Sequence, residues 1–360
     1  MRNIIIVLVS DQTIPNVLFI KEFIKDEDEV LFISTERMTE REEWIKKSLG
    51  IKNKFHTIKV DQYDIADIQK KASEFDFSGY NKKIISITGG TKLMSLEIYN
   101  YFKNINNSEI YYVVNEGEYT ILHPKREENT FKFRKSVDLN EYFNAYGFDK
   151  KESSLSGIEK NYTYQFFKWF TEEKTETDND ILKSLREWIQ KGNKKKINIS
   201  DVKGLDEFLS SSSFPYKNNT LTKKEIRYLT GNWLEEYIYH KIKEKINENI
   251  LCGVTRKGTQ TENEFDVVFL HNNQLNVIEC KTYINSKEKK SLPKDTIYKL
   301  DSTLKDFGLR AKSYIVTLNK KEEINDADSK RAKDYNIKFI TLEDLQEDDF
   351  VNKFFLKNAH

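Results

Sequence analysis

Five short apolar runs rich in β-branched residues recur through the first third of the chain: Ile4–Val9, Val30–Ile33, Phe55–Val60, Ile84–Ile87 and Ile110–Val114. Between them, Val17–Ile24, Glu40–Leu49, Ile65–Phe75 and Leu93–Phe102 space their apolar residues as one face of a helix does. Strands that are apolar on both faces, alternating with helices, predict a parallel sheet covered on both sides. Pro15 suits the first turn of the first helix, where its missing N–H costs nothing.

The pattern changes near Asp149. A polar connector, KKESSLSG, leads into the aromatic run TYQFFKWF, the charged run TEEKTETDND and the segment ILKSLREWIQKGNKKKINI. This middle region reads as a linker and helical connector. After Leu221 a long helical pattern, TKKEIRYLTGNWLEEYIYHKIKEKI, precedes strands at Leu251–Thr255, Phe265–Leu270 and Leu275–Glu279. A helix near Thr296–Phe307, a strand at Tyr314–Leu318, another helix and a last strand at Ile337–Ile340 complete a second α/β block. The expected domains are therefore 1–145, a connector at 146–220, and 221–360.

Composition narrows the class. Of 360 residues, a length that suggests two or three domains, 23 are Phe and 19 Tyr, ample aromatic material for buried cores, while 32% are charged. A mean hydropathy of -0.70 describes a heavily solvated surface. The formal net charge of +1 means that a nucleic-acid partner would be served by local basic patches. Cys252 and Cys280 offer neither a disulfide framework nor a C-x-x-C pair, which points to a reducing cytoplasm. No apolar stretch approaches the roughly 20 residues of a membrane span, and the N-terminal run ends at Asp11-Gln12 without a cleavage site.

Two polar loops follow predicted strands, where open parallel sheets collect ligands. In VSDQTIPN, Ser10, Gln12, Thr13 and Asn16 supply hydroxyl and amide groups beside a helix N-terminus. In ITGGTKLM, Gly89-Gly90 permits close backbone approach, the helix start attracts anions, and Lys92 adds a point charge. A bare GGTK also serves as a glycine turn with a surface lysine. The spacing fits neither a Walker A loop nor G-x-G-x-x-G, so a phosphate-bearing ligand other than a standard NTP or dinucleotide is expected.

These loops, in this order, resemble those of the CARF domain, the CRISPR-associated Rossmann-like sensor of cyclic oligoadenylates. The resemblance covers roughly residues 1 to 140. It implies a two-fold homodimer with the cyclic adenylate across its axis. Ligand contacts would come from Ser10, Gln12, Thr13 and Asn16 of the first loop, and from Thr88, Gly89, Gly90, Thr91, Lys92 and Met94 of the second. Ser34 and Thr35, at the end of the second strand, are weaker candidates.

The second block carries the chemistry. In EFDVVFLHNNQLNVIECKTY, Asp266 opens one strand and Glu279 closes the next, with NNQ as the turn between. Strand alternation puts Glu279 and Lys281 on one face and Cys280 on the other, so Cys280 reads as a small core residue. Glu264 joins the Asp266 face as an accessory ligand at best. Phosphodiester hydrolysis uses a divalent cation to neutralise the phosphate and activate water, with carboxylates as ligands and a lysine beside the developing charge. The alternative is a hairpin whose polar residues merely face solvent.

The pattern D-x12-E-C-K resembles the PD-(D/E)xK nucleases, with Phe265 where that superfamily has proline. The superfamily's G-x-x-x-E on the preceding helix maps to Gly231 and Glu235, with Glu236 as the competing carboxylate, and Lys299 takes the place of a polar helper. An amphipathic core helix explains the apolar residues of that segment equally well. The implied fold is α/β throughout, a Rossmann-like parallel sheet followed by a restriction-endonuclease-like domain.

The whole-chain order resembles the type III CRISPR ancillary nucleases activated by cyclic tetra-adenylate. Implied with it are metal ligands Asp266, Glu279 and Glu235, catalytic Lys281, Mn²⁺ or Mg²⁺, and a substrate of single-stranded DNA, RNA or supercoiled DNA. The CARF partner domain with an R-x4–6-H ribonuclease motif is excluded, because no arginine precedes a histidine at that distance. The non-enzyme alternative, a ligand-responsive transcription regulator, has no need of Asp266, Glu279 and Lys281 on one face.

Overall fold

A computed structural model describes residues 2–152, 155–192, 195–256, 264–283, 292–308 and 310–357. The chain divides into two compact units: Met1–Lys150 with Leu270–Leu275 and Leu304–Ala311, and Lys151–Phe269 with Asn276–Thr303 and Lys312–His360.

The first unit begins β1 (Ile4–Leu8), α1 (Ile14–Phe23), β2 (Glu29–Ser34), α2 (Thr39–Leu49), β3 (Phe55–Lys59) and α3 (Ile65–Glu74). It continues with β4 (Lys83–Ser86), α4 (Lys92–Phe102), β5 (Ser108–Asn115), β6 (Glu118–His123), β7 (Phe131–Lys132) and α5 (Leu139–Ala145). The sheet order is β3-β2-β1-β4-β5-β6-β7. Strands β1 to β5 pair in parallel, and β6 and β7 add an antiparallel edge. All five β1 residues are buried, as a strand with helices on both faces requires.

Strand order turns at β1. The chain moves outward through β2 and β3, then crosses back to place β4 on the other side of β1. The loops leaving β1 and β4 therefore flank a topological switch point, the place where open α/β sheets part to admit ligands. The two loops expected to act together are neighbours because of this order.

The second unit starts with β8 (Lys150–Glu152), α6 (Lys160–Glu172), α7 (Glu176–Gln190), β9 (Lys196–Asn198), α8 (Leu205–Ser211), β10 (Thr220–Thr222) and α9 (Lys223–Arg227). After a π-helical turn at Tyr228–Asn232 come α10 (Trp233–Ile246), β11 (Ile250–Arg256), β12 (Glu264–His271) and β13 (Gln274–Lys281). The chain closes with α11 (Leu292–Leu304), β14 (Lys312–Thr317), α12 (Asp326–Asp334), β15 (Ile337–Ile340) and α13 (Leu342–Leu345). Its main sheet runs β15-β14-β13-β12-β11-β8, antiparallel between β11 and β12 and parallel from β13 to β15.

The middle of the chain is more than a tether. Phe166, Trp169 and Phe170 of α6 and Ile181, Leu182 and Leu185 of α7 share one buried cluster with Trp233, Leu234 and Ile238 of α10 and with Ile278 and Val316 of the sheet. The single long helix expected over 222–246 is broken by the π turn, so α9 and α10 are separate segments. Among the described residues no helix is long and apolar enough to cross a membrane.

Candidate active site and ligand loops

Strands β12 and β13 are joined by Asn272-Asn273, both with positive φ (51° and 60°), the conformation of a two-residue hairpin turn. Gln274, expected in the turn, already belongs to β13. Carried along the ladder, this turn sets Asp266 opposite Glu279, where cross-strand side chains stand closest. Asp266 Oδ2 accepts a hydrogen bond from the Cys280 N–H at 2.6 Å. Lys281 Nζ lies 2.7 Å from Glu279 Oε1 and 3.8 Å from Asp266 Oδ2, and Lys299 Nζ on α11 lies 3.5 Å from the same glutamate oxygen.

Both strand carboxylates are buried, Asp266 at 7% and Glu279 at 5% exposure. Burial lifts the Asp266 carboxyl to about 7; Glu279 pushes the same way, and Lys281 with the Cys280 N–H opposes. Burial by itself would lower the Lys281 ammonium, but Asp266 and Glu279 outweigh it, so the lysine stays protonated.

Structure separates the two candidate helix carboxylates. Burial raises Glu235 well above the usual range, reinforced by the negative charges of Asp266, Glu264 and Glu279 and opposed by Lys281. Glu235 thus shares the electrostatic field of the strand carboxylates. Glu236 instead accepts hydrogen bonds from the Ser156 N–H at 2.5 Å and its hydroxyl at 2.8 Å. Burial raises its carboxyl too, with Ser156 opposing. Gly231 sits in the π turn with φ 175°, and a Cβ there would meet nothing within 4 Å, so neither backbone nor packing demands glycine.

Cys280 is buried, and burial followed by the charge of Asp266 drives its thiol far up, as expected of a core residue and not of a nucleophile. Cys252 is only half-buried, and burial followed by the charge of Glu235 raises its thiol too. Among the described residues, no three His, Cys, Asp or Glu side chains are arranged as metal ligands. The donor chemistry nevertheless suits a hard divalent cation: Asp266, Glu279 and Glu235 are oxygen donors, and their crowded negative charge is what such an ion relieves.

In the first unit, the two loops touch. A Cβ on Gly89 would stand 1.9 Å from the Leu8 carbonyl oxygen, so only glycine lets the β4 loop lie against the end of β1. Gly90 adopts φ +72°, the left-handed region that glycine enters without strain. Thr91 caps α4 by accepting from the Met94 N–H at 3.2 Å, and Lys92 is exposed at the helix start. Thr88 Oγ1 accepts from the Val113 N–H at 2.7 Å, which ties the loop to β5.

Not every loop candidate faces outward. Thr13 is fully buried and donates to the Ala145 carbonyl. Asn16, also fully buried, donates to the Leu8 carbonyl at 2.9 Å, and Met94 is 1% exposed. These three brace the loops from below, leaving Ser10, Gln12, Thr88, Gly90, Thr91 and Lys92 at least partly exposed. Ser34 is buried against Glu42, whereas the Thr35 hydroxyl is buried without a hydrogen-bond partner among the described residues. Sequence reasoning passed over Ser95, whose hydroxyl donates to the Gly89 carbonyl at 3.1 Å; a serine one turn into α4 was its only signal.

Residues 4–142 match the family model of the Card1 CARF domain, and residues 222–355 match that of the Card1-like endonuclease domain. Among solved structures, protein VC1899 from Vibrio cholerae aligns with a TM-score of 0.75 at 21% identity, covering 96% of this chain and 95% of that one. Can2 from Sulfobacillus thermosulfidooxidans, solved in complex with cyclic tetra-adenylate, aligns with a TM-score of 0.70 at 24% identity, covering 93% and 94%. At these identities the likeness is one of fold. None of the curated proteins matches the chain by sequence.

Proposed function

Since the chain belongs to the family that joins a Card1 CARF domain to a Card1-like endonuclease domain, the build of a CRISPR ancillary nuclease, we propose that it is a metal-dependent nuclease switched on by cyclic tetra-adenylate. The observation that carries this reading is the meeting of Asp266, Glu279 and Lys281, with Glu235 in the same electrostatic field. Asp266, Glu279 and Glu235 would hold Mn²⁺ or Mg²⁺. The bound ion would neutralise charge on the scissile phosphate and lower the pKa of the attacking water.

The chain's own groups do the rest. Lys281, held protonated by its two carboxylate neighbours, presents an ammonium to the pentavalent phosphate as negative charge builds on it. The Cys280 N–H fixes the Asp266 carboxylate in one orientation, which spares reorganisation at the moment of reaction. Lys299 adds a second positive charge beside Glu279.

Activation follows from the first unit. Ser10, Gln12, Thr88, Thr91 and Lys92, around the Gly89-Gly90 backbone, form an anion-binding edge suited to the phosphates of a cyclic oligoadenylate. Can2, similar in fold, was solved with cyclic tetra-adenylate, which supports this choice of ligand. A two-fold homodimer with the ring across its axis would couple binding to cutting, provided the ligand binds the active arrangement more tightly than the resting one.

The test incubates the protein and its Glu279→Ala variant with Mn²⁺ and labelled RNA, single-stranded DNA or supercoiled plasmid, with and without cyclic tetra-adenylate. Cleavage that requires Mn²⁺, the ligand and Glu279 is expected. Cleavage by Glu279→Ala at the wild-type rate refutes the site, and cleavage indifferent to the ligand refutes the sensor.

A further inference from the structure

Strand β15 ends the main sheet of the second unit, and among the described residues no strand pairs with its outer side. Residues along a parallel strand turn their N–H and C=O groups to alternate sides, so every second residue of β15 points these groups away from β14. Side-chain alternation puts Ile337 and Phe339 on one face and Lys338 and Ile340 on the other. Helix α12, which links β14 to β15, packs on the strand. The Lys338 ammonium stands 4.5 Å from the centre of the Phe354 ring, which belongs to a second π turn at Asn352–Leu356. Between helix and turn runs a groove of about 540 Å³ whose apolar lining is Ile324, Ala332, Ile337, Phe339 and Phe354. No residue of β14 lines it, so it follows the free edge.

The rim of this groove is basic. Lys321, Lys333 and Lys338 line it, all exposed, against one carboxylate, Asp344. Asp344 is already engaged, accepting from the Thr341 N–H at 2.9 Å and from its hydroxyl at 3.1 Å. Among the described residues none of the three lysines has a carboxylate within ion-pair distance. Burial lowers the Lys338 ammonium; Asp344 opposes from further off, and Lys353 and Lys357 push the same way as burial. A single lysine on a short edge strand is the ordinary guard against unwanted pairing. Such a guard needs neither an apolar trough beside it nor two further lysines around that trough.

We propose that the free edge of β15 docks an extended acidic segment of a partner protein, which adds a strand to the sheet. The segment's backbone satisfies the outward N–H and C=O groups of β15, its apolar side chains enter the trough, and its carboxylates meet Lys321, Lys333 and Lys338. In strand addition of this kind main-chain bonds give the affinity, and pockets for alternate side chains give the specificity. A nucleic acid would answer the lysines but has no N–H and C=O ladder to offer the strand. Nor does Phe354 invite a base, because the ammonium groups of Lys338 and Lys353 already stand over its ring at 4.5 and 4.9 Å. A second copy joined edge to edge would set one lysine rim against another. The proposal stands apart from the nuclease reading, since no member of the carboxylate cluster takes part in it.

The experiment follows binding to the full chain by fluorescence anisotropy, with a labelled eight-residue peptide alternating glutamate and valine as the probe. Two counterparts test its parts: the same peptide N-methylated at every second residue, and one with lysine in place of glutamate. N-methylation should weaken binding by about tenfold or more, the worth of two or three main-chain hydrogen bonds. Lys338→Glu should weaken the acidic peptide by about tenfold, because a rim attraction becomes a repulsion. The same variant should bind the lysine peptide better than the parent does, a reversal that a damaged fold would not produce. Lys338 is exposed, and the variant should melt with the parent; if it does not, Lys333→Glu on α12 carries the same test. An N-methylated peptide bound as tightly as the unmodified one overturns the proposal, as does an affinity that Lys338→Glu and Lys333→Glu leave unchanged. Displacement of the peptide by dT12 would make the groove a nucleic-acid surface, and a peptide that splits a dimer in sedimentation would make it a contact between copies. Either result overturns the proposal.

Discussion

Replacing Asp266 by asparagine isolates the electrostatics of the carboxylate cluster, provided metal is kept away. The asparagine is nearly isosteric, and its carbonyl oxygen can still accept from the Cys280 N–H. What disappears is a buried negative charge beside Glu279 and near Glu235. A carboxyl lifted from an ordinary value near 3.9 to about 7 carries about 4 kcal/mol of preference for its neutral form, at 1.36 kcal/mol per tenfold. That is an upper figure, because Lys281 loses an attractive partner at 3.8 Å when the charge goes. About half of it, roughly 2 kcal/mol, is the expected gain in stability.

The direction with pH follows from linkage. A raised folded-state value means that stability from this group is fully present below about pH 4 and is lost as pH rises through about 7. Thermal unfolding followed by circular dichroism in EDTA at pH 6 and pH 8.5 reads this directly. At pH 8.5 the variant should melt about 4–8 °C above wild type, and the two should converge towards pH 6. Mn²⁺ should stabilise wild type more than the variant, since the ion replaces the missing proton. A variant that melts below wild type at pH 8.5 in EDTA, or two parallel pH profiles, would refute the argument.

Three further outcomes follow. Glu235→Gln should raise the Mn²⁺ concentration needed for half-maximal cleavage by tenfold or more, whereas Glu236→Gln should leave it unchanged and cost about 1.5–3 kcal/mol in urea denaturation through its weakened bonds to Ser156. Gly89→Ala should abolish cyclic tetra-adenylate binding by calorimetry and lower the melting temperature, because its Cβ would collide with the Leu8 carbonyl. Lys92→Ala should weaken the same ligand about tenfold with no change in melting temperature, since the lysine is exposed and its charge acts only on the ligand.

The parallel sheet was legible in the chain because its strands are apolar on both faces and its helices repeat on a different period. Strands β6 and β7 and helix α5 went unread: β7 has two residues, and β6 mixes polar and apolar positions on a half-exposed edge. The helices between the blocks showed their amphipathic faces in sequence but not what those faces pack against, and Phe166, Trp169 and Phe170 turn out to lie in the second unit's core. Loop residues were the hardest to orient. Thr13, Asn16 and Met94 carry the same kinds of polar or flexible groups as their exposed neighbours, and only the path of the backbone decides which side they face. Period-two alternation needs no such path, so Glu279, Cys280 and Lys281 could be assigned to faces from their order alone.

Rotation of α10 is the clearest instance of what a linear reading lacks. Glu235 and Glu236 are adjacent, and both sit on a helix whose apolar residues surround it nearly completely. A π turn precedes that helix, and such a turn shifts the phase of everything after it, so periodicity counted from Leu221 does not choose between the two carboxylates. The phase is held from outside the helix, by Arg186 on the Thr230 carbonyl and by Ser156 on Glu236. Both partners lie in the stretch that sequence composition marks as connector. The carboxylate that faces the strand pair is thus selected by residues more than 40 positions away.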